Sequence, residues 1–295
     1  MRPFRFGLVW NGVESPVDIA RRAEDTGYAT LLFPDHTEML APLPAMAAAA
    51  AVTTSLRLGT QVVNIAFRPL GALAQEAAAV DVISAGRLEL GLGAGYAEDE
   101  VHSLGLPFPP VRERVAKVAQ ALEELPRLFA GETVNGYRLN PPAPQGANMP
   151  LLVGGSGDSI LAVAAKAANI VQYTGFTAAP ARTFRHYSMA GLGDRVAYTR
   201  RLAGDRFNHL ELSLLVQRAG LVDDPVAAVQ DATLVRNGVM SAEELVETPF
   251  ILLGSIDRIC DRIVELRERY SVSYLTVFDG RAPGFEQVVA RLAGR

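Results

Sequence analysis

The chain has 295 residues, 49% of them hydrophobic and 20% charged, enough to bury about three-quarters of its unfolded surface without a disulfide or a metal. Its one cysteine, Cys260, excludes a disulfide framework and any multi-cysteine zinc or iron–sulfur site. Net charge is −4, and of the 28 basic residues two are lysines, Lys117 and Lys166, and the other 26 are scattered arginines, which argues against a nucleic-acid partner.

Residues 1–10, MRPFRFGLVW, are too short and too interrupted for a secretory signal. The longest apolar tract, 42–52, is too short to span a bilayer, so a soluble cytoplasmic protein is expected. In chain order, short apolar runs alternate with amphipathic stretches. A strand is predicted over Phe4–Trp10, then a helix over Ser15–Thr26 with Ser15 as N-cap, Pro16 at the first helical position and Gly27 just past the end. Strand Thr30–Pro34 precedes helix Pro44–Thr53. Strand Leu56–Val63 precedes helix Leu70–Ile83, and strand Leu88–Leu92 leads towards the long helix Val111–Phe129. Residues 131–150 read as a long excursion. Strand Leu151–Gly154 and helix Asp158–Ala168 follow, then strand Ile170–Tyr173, a second excursion over 174–193, helix Asp194–Phe207 and strand Leu210–Ala219. Ser241 opens a capping-box pattern, Ser-Ala-Glu-Glu. Helix Ile256–Tyr270, strand Tyr274–Phe278 and a closing helix Phe285–Leu292 complete the chain.

Eight near-continuous apolar strands separated by helices fit a single α/β domain over residues 1–295, a (β/α)₈ TIM barrel with insertion loops. The competing fold is an open doubly wound sheet. Its phosphate signature fails, because G-x-G-x-x-G from Gly91, Gly93 or Gly155 needs glycine at Tyr96, Glu98 or Ile160.

In a barrel, chemistry sits at the C-terminal strand ends. Asp35-His36, after the second strand, is the most reactive pair there; it fits proton exchange or hydrogen bonding to a polar ring, and also a simple capped loop. Gly154-Gly155-Ser156-Gly157 fits a phosphate cradle, and also a flexible turn. Ser156 is no nucleophile elbow, since position 158 is Asp. Glu98, Asp99 and Glu100 follow the fourth strand. Glu98 reads as a helix first turn, and Asp99 and Glu100 equally as that or as acid/base groups. His102, His186 and His209 are scattered and form no metal spacing, so no metal is expected. Cys260 lies on the apolar side of its helix and reads as core.

The strand-end segments LLFPDH (31–36), RLGTQVVNIAFRPLGALAQEAAAVDVISAGRLELGLGAGYAEDE (57–100), MPLLVGGSGDSILAVAAKAANIV (149–171) and PFILLGSIDRICDRIVELRERYSVSYLTV (249–277) resemble, together and in order, the bacterial luciferase-like flavin and deazaflavin oxidoreductases. The resemblance implies a barrel binding a flavin-type ring at its mouth, and the Asp35-His36 motif is closer to the branch that uses coenzyme F420 than to the FMN branch. It places Asp35 and His36 by the ring and a cis peptide at Gln61–Val62 behind it. It sets Asn64 at the ring edge, and Gly93, Gly95 and Tyr96 along the pocket floor. Gly154, Gly155 and Ser156 would hold the coenzyme phosphate, and Tyr173 and Thr174 complete the cofactor-binding set. His36 is the candidate for proton transfer and Tyr96 its possible partner, as a hydrogen-bond donor or as packing. The family's sugar-phosphate dehydrogenases carry a glutamate where Tyr96 stands and grip substrate with lysines missing here, so a more apolar substrate is expected, met by Trp10, Met39 and Phe176. A homodimer is implied by analogy, with small-molecule partners only and no nucleic acid or membrane. The competing activities are an FMN-dependent monooxygenase and a non-catalytic flavin- or deazaflavin-binding protein.

Overall fold

The structure is a computed structural model that describes residues 1–175 and 187–295. Eight strands form a closed parallel ring: β1 (Arg5–Val9), β2 (Thr30–Phe33), β3 (Arg57–Thr60), β4 (Leu88–Gly93), β5 (Leu151–Gly154), β6 (Ile170–Tyr173), β7 (Glu211–Val216) and β8 (Val272–Phe278). The register runs from Arg5↔Tyr274 to Val9↔Phe278 between β1 and β8, and the ring closes where Leu58 and Gly59 of β3 pair with Leu88 and Glu89 of β4. The helices α1 (Pro16–Asp25), α2 (Pro42–Ala50), α3 (Leu70–Ile83), α4 (Val111–Phe129), α5 (Asp158–Ala167), α6 (Met189–Ala203), α7 (Ile256–Tyr270) and α8 (Glu286–Leu292) form the outer layer. This is the (β/α)₈ barrel expected from the alternation of elements.

Local chemistry fixes the elements. Ser15 accepts from the Asp18 N–H at 3.2 Å to start α1, with Pro16 in the first turn, and Gly27 takes φ +82° beyond its end. Ser241 and Glu244 close the expected capping box on the short helix Ala242–Val246. The strands bury both faces, so alternation is invisible in the sequence. On β1, Phe6 and Leu8 face the helices, while Val9 joins Leu32, Leu152, Ile170 and Tyr274 inside the barrel. At the base, Arg5 donates to Glu89 and Glu211, Arg57 donates to Glu89, and the Arg5 guanidinium lies 3.9 Å over the Tyr274 ring. Burial alone would raise the Glu89 carboxyl, but the two guanidiniums outweigh it and hold it below the ordinary range.

Three expected boundaries move. The third strand breaks at Gln61–Val62, which is cis, and resumes as Val63–Asn64 beside β4. The seventh strand does not run to Ala219. The chain leaves the barrel wall at Gln217, whose N–H goes to Phe250 O, and Arg218–Leu221 pairs in parallel with Ile251–Gly254, a strand absent from the sequence reading. The sixth helix starts five residues early, at Met189, capped by Ser188, and gives way to a 3₁₀ turn from Gly204.

Candidate active site

The loop after β2 turns its two polar residues to different partners. Asp35 is 8% exposed and accepts both Arg68 guanidinium nitrogens, at 3.1 and 3.2 Å, and the Asn64 N–H at 3.0 Å. It ties this loop to the segment ahead of α3, and its oxygens are engaged. His36 projects to the mouth, with Nδ1 2.8 Å from Glu100 Oε1, and the Thr37 N–H donates to Glu100 Oε2 at 3.2 Å. Glu100 rides on a short helix, Glu98–Ser103, whose acidic first turn suits a helix N-terminus. The Tyr96 ring meets His36 edge-on, centroids 5.9 Å apart. Burial of part of its ring and then the Glu100 carboxylate push the Tyr96 phenol above its ordinary value, so it stays protonated at neutral pH.

The floor lies beside this pair. Val62 points into the barrel, and a Cβ added at Gly93 would stand 2.4 Å from Val62 Cγ2, so glycine there is what lets the floor lie flat. Gly95, at φ +72°, packs against the Asn64 amide, whose Oδ1 also accepts the Ala66 N–H. The buried Arg114 reaches in from α4 and donates to the carbonyls of Ala94 at 3.0 Å, Gly95 and Pro109, fixing the loop that carries Tyr96. Below, Nε2 of the fully buried Gln172 is within hydrogen-bond reach of Gln61, Ser213 and Thr276, while its buried Oε1 has no partner among the described residues and lies 3.6 Å from where Gly154 would place a Cβ.

On the opposite rim, Gly154 borders the floor. The Gly155 N–H is held by Gln172 O at 3.0 Å, and Ser156 Oγ, in a residue 3% exposed, accepts the N–H groups of Thr174 and Gly175. Ser156 therefore joins two strand-end loops and does not reach outward. What this turn offers an anion is the start of α5, capped by Gly157 with no side-chain bond and with open space at its Cβ position.

His36, Tyr96, Asn64, Val62, Gly93, Gly95 and Gly154 thus converge at one mouth, and Thr174 is half-buried on its rim. Asp35 and Ser156, engaged as described above, do not face it, and two further expected residues lie away from it altogether. Trp10 is 1% exposed and donates its indole N–H to Glu14 O, because at the end of β1 it falls on the helix-facing side with Phe6 and Leu8. The Tyr173 side chain likewise points outward, its hydroxyl donating to Thr199 on α6. Met39 is half-buried beside Gly12. Phe176 and His186 lie outside the described residues. Sequence reading missed Arg68, Arg114 and Gln172. Nothing local marks the two arginines among 26, but Gln172, a polar residue inside an apolar strand, was a visible signal.

Residues 11–232 match the family model for luciferase-like monooxygenases. An F420-dependent glucose-6-phosphate dehydrogenase of Beutenbergia cavernae is 35% identical over 122 residues, 38% of this chain, and the chain covers 36% of that relative's length. The coenzyme F420-dependent tetrahydromethanopterin reductase of Methanopyrus kandleri superposes with a TM-score of 0.78 at 18% identity, covering 98% of this chain and 96% of that one. The FMN-bound oxygenating constituent of 3,6-diketocamphane monooxygenase of Pseudomonas putida does so at 0.70 and 16% identity, covering 98% and 94%. At these identities the two superpositions establish the fold.

Proposed function

The chain belongs to the luciferase-like monooxygenase family, and on that premise we propose that it is an oxidoreductase that exchanges a hydride between the deazaflavin coenzyme F420 and a fairly apolar organic substrate. The observation that carries this is the mouth itself: a glycine-edged floor over Val62, with a buried Gln172 acceptor that has no partner among the described residues and a histidine–carboxylate pair standing beside it. A planar ring with a polar edge fits that floor. Val62 would back it, Gly93, Gly95 and Gly154 would admit it, Asn64 would meet its edge, and the start of α5 would face its phosphate. The bound coenzyme supplies the hydride chemistry; the protein supplies position and proton handling. Tyr96, 73% exposed and protonated, offers a hydrogen-bond donor at the mouth where the sugar-phosphate dehydrogenases of the family place a proton-carrying glutamate. Both lysines are exposed on outer helices, Lys117 on α4 and Lys166 in the last turn of α5, where they are not placed to grip a substrate phosphate.

The coenzyme assignment rests on the F420-dependent relative, and the FMN-bound neighbour supports the alternative of an FMN-dependent monooxygenase. Calorimetric titration with F420 and with FMN separates them: micromolar binding of F420 and none of FMN is expected, and the reverse would overturn the assignment. We also read the protein as a homodimer joined through α2 and α3, since Val82 and Ile83 on α3 are about half exposed and α2 presents the small residues Pro44, Ala47 and Ala48 outward. Among the described residues, no helix is long and apolar enough to cross a membrane.

A further inference from the structure

We propose that Glu100 is a positioning residue that fixes the His36 ring in one tautomer, with the hydrogen on Nδ1, so that Nε2 is the atom through which a proton enters or leaves the substrate. The inference deepens the oxidoreductase reading and rests on it. An ionised carboxylate only accepts, so a carboxylate oxygen 2.8 Å from Nδ1 requires the hydrogen on that nitrogen. Glu100 is itself held: the Thr37 N–H occupies its second oxygen at 3.2 Å, and its helix is anchored by the buried Val101. The ring is thus met along one edge by a carboxylate whose second oxygen is tied to the same loop, while Tyr96 packs edge-on against it. Among the described residues, the charged and titratable groups recorded around His36 are Glu100, Tyr96 and, one residue back, Asp35 with its partner Arg68. Asp35 is committed to Arg68 and the Asn64 N–H, which leaves Glu100 as the carboxylate that acts on the imidazole.

The arrangement completes the bookkeeping of a two-electron exchange. Oxidation of a substrate by loss of two hydrogens would pass a hydride to a bound deazaflavin, which supplies the hydride chemistry, and would leave one proton for the protein to take. Nε2 takes that proton, giving an imidazolium whose Nδ1–H still faces Glu100; reduction of a substrate runs the same steps backwards. No further oxidant or reductant is needed.

The test begins on the full chain without coenzyme. Long-range ¹⁵N–¹H NMR on histidine-labelled protein, with His36 assigned by its loss in His36→Asn, should show Nδ1 protonated and Nε2 bare in the neutral ring. Glu100→Gln keeps an acceptor oxygen and should keep that tautomer; Glu100→Leu removes it and should move the hydrogen to Nε2. With coenzyme and a turned-over substrate, Glu100→Leu should lower kcat by about 10- to 100-fold with KM for coenzyme unchanged, and Glu100→Gln should restore much of it. An Nε2–H tautomer in the wild-type protein, or the same tautomer in Glu100→Leu, overturns the proposal. Because the NMR arm needs no coenzyme, a correct tautomer in a protein that fails to bind F420 would sink the function reading alone.

Discussion

Gly93 is the residue at which one methyl group decides whether the floor exists. An alanine there would put its Cβ 2.4 Å from Val62 Cγ2, so that Val62 would have to shift towards the mouth. Gly93→Ala should weaken F420 binding by about tenfold or more and cost about 1–3 kcal/mol in stability, the usual scale for overpacking. Val62→Ala in the same chain should recover most of both losses, and a double-mutant cycle on coenzyme affinity measures that coupling. Additive effects would mean that the ring does not rest on Val62. The same scale shows what a sequence reveals and what it hides. His36, Asn64 and Gly93 were legible because they lie at the C-terminal strand ends, or just past them, where a barrel has its mouth. Trp10 and Tyr173 were misplaced because a one-residue step along a strand reverses the face, and strands buried on both faces carry no alternation to reveal it.

Among the elements, the join between α1 and β3 depends on one side chain. Glu24, near the end of α1, accepts the backbone N–H groups of Ser55 at 2.6 Å and of Thr54 and Leu56 at 2.9 Å, and so caps the turn that feeds β3. Partial burial would raise this carboxyl, but the three N–H donors outweigh it and hold it at about 2, below its ordinary 4.5. A depressed carboxylate contributes stability that is present above about 4.5 and is lost as pH falls towards about 2. Glu24→Gln should therefore lower stability at neutral pH and flatten the fall in urea midpoint across that acid window; an unchanged acid slope would remove Glu24 as its source. Most of the element order was legible, because the apolar runs and caps are local, but the strand Ile251–Gly254 and the short hairpin of Thr133–Val134 with Tyr137–Arg138 were not. Nor was the departure of Arg218–Leu221 from the barrel, since LELSLLVQRAGL reads as one run and only its pairing with the distant Ile251–Gly254 breaks it.

In the molecule as a whole, the two ends of the barrel do different work. The mouth holds residues whose side chains converge on space, whereas the base holds a charge cluster that converges on itself. That cluster stands at the thinnest part of the ring, where β3 and β4 share only the pairs Leu58↔Leu88 and Gly59↔Glu89 before the chain breaks at the cis peptide. Glu89, its side chain 3% exposed, bridges the seam by accepting from Arg57 on β3 and from Arg5 on β1. Glu89→Ala leaves two partly exposed guanidiniums, Arg5 at 21% and Arg57 at 29%, without their shared carboxylate. Arg5 retains Glu211, so the loss should fall near the lower end of the range for broken buried pairs, about 3 kcal/mol. Because stability resides at the N-terminal face of such barrels and chemistry at the other, the variant should lower the urea midpoint while its affinity for F420 at the mouth stays within about twofold. A parallel loss of coenzyme affinity in protein that is still folded would show that the seam transmits strain up β4 to Gly93, and that base and mouth are one mechanical unit.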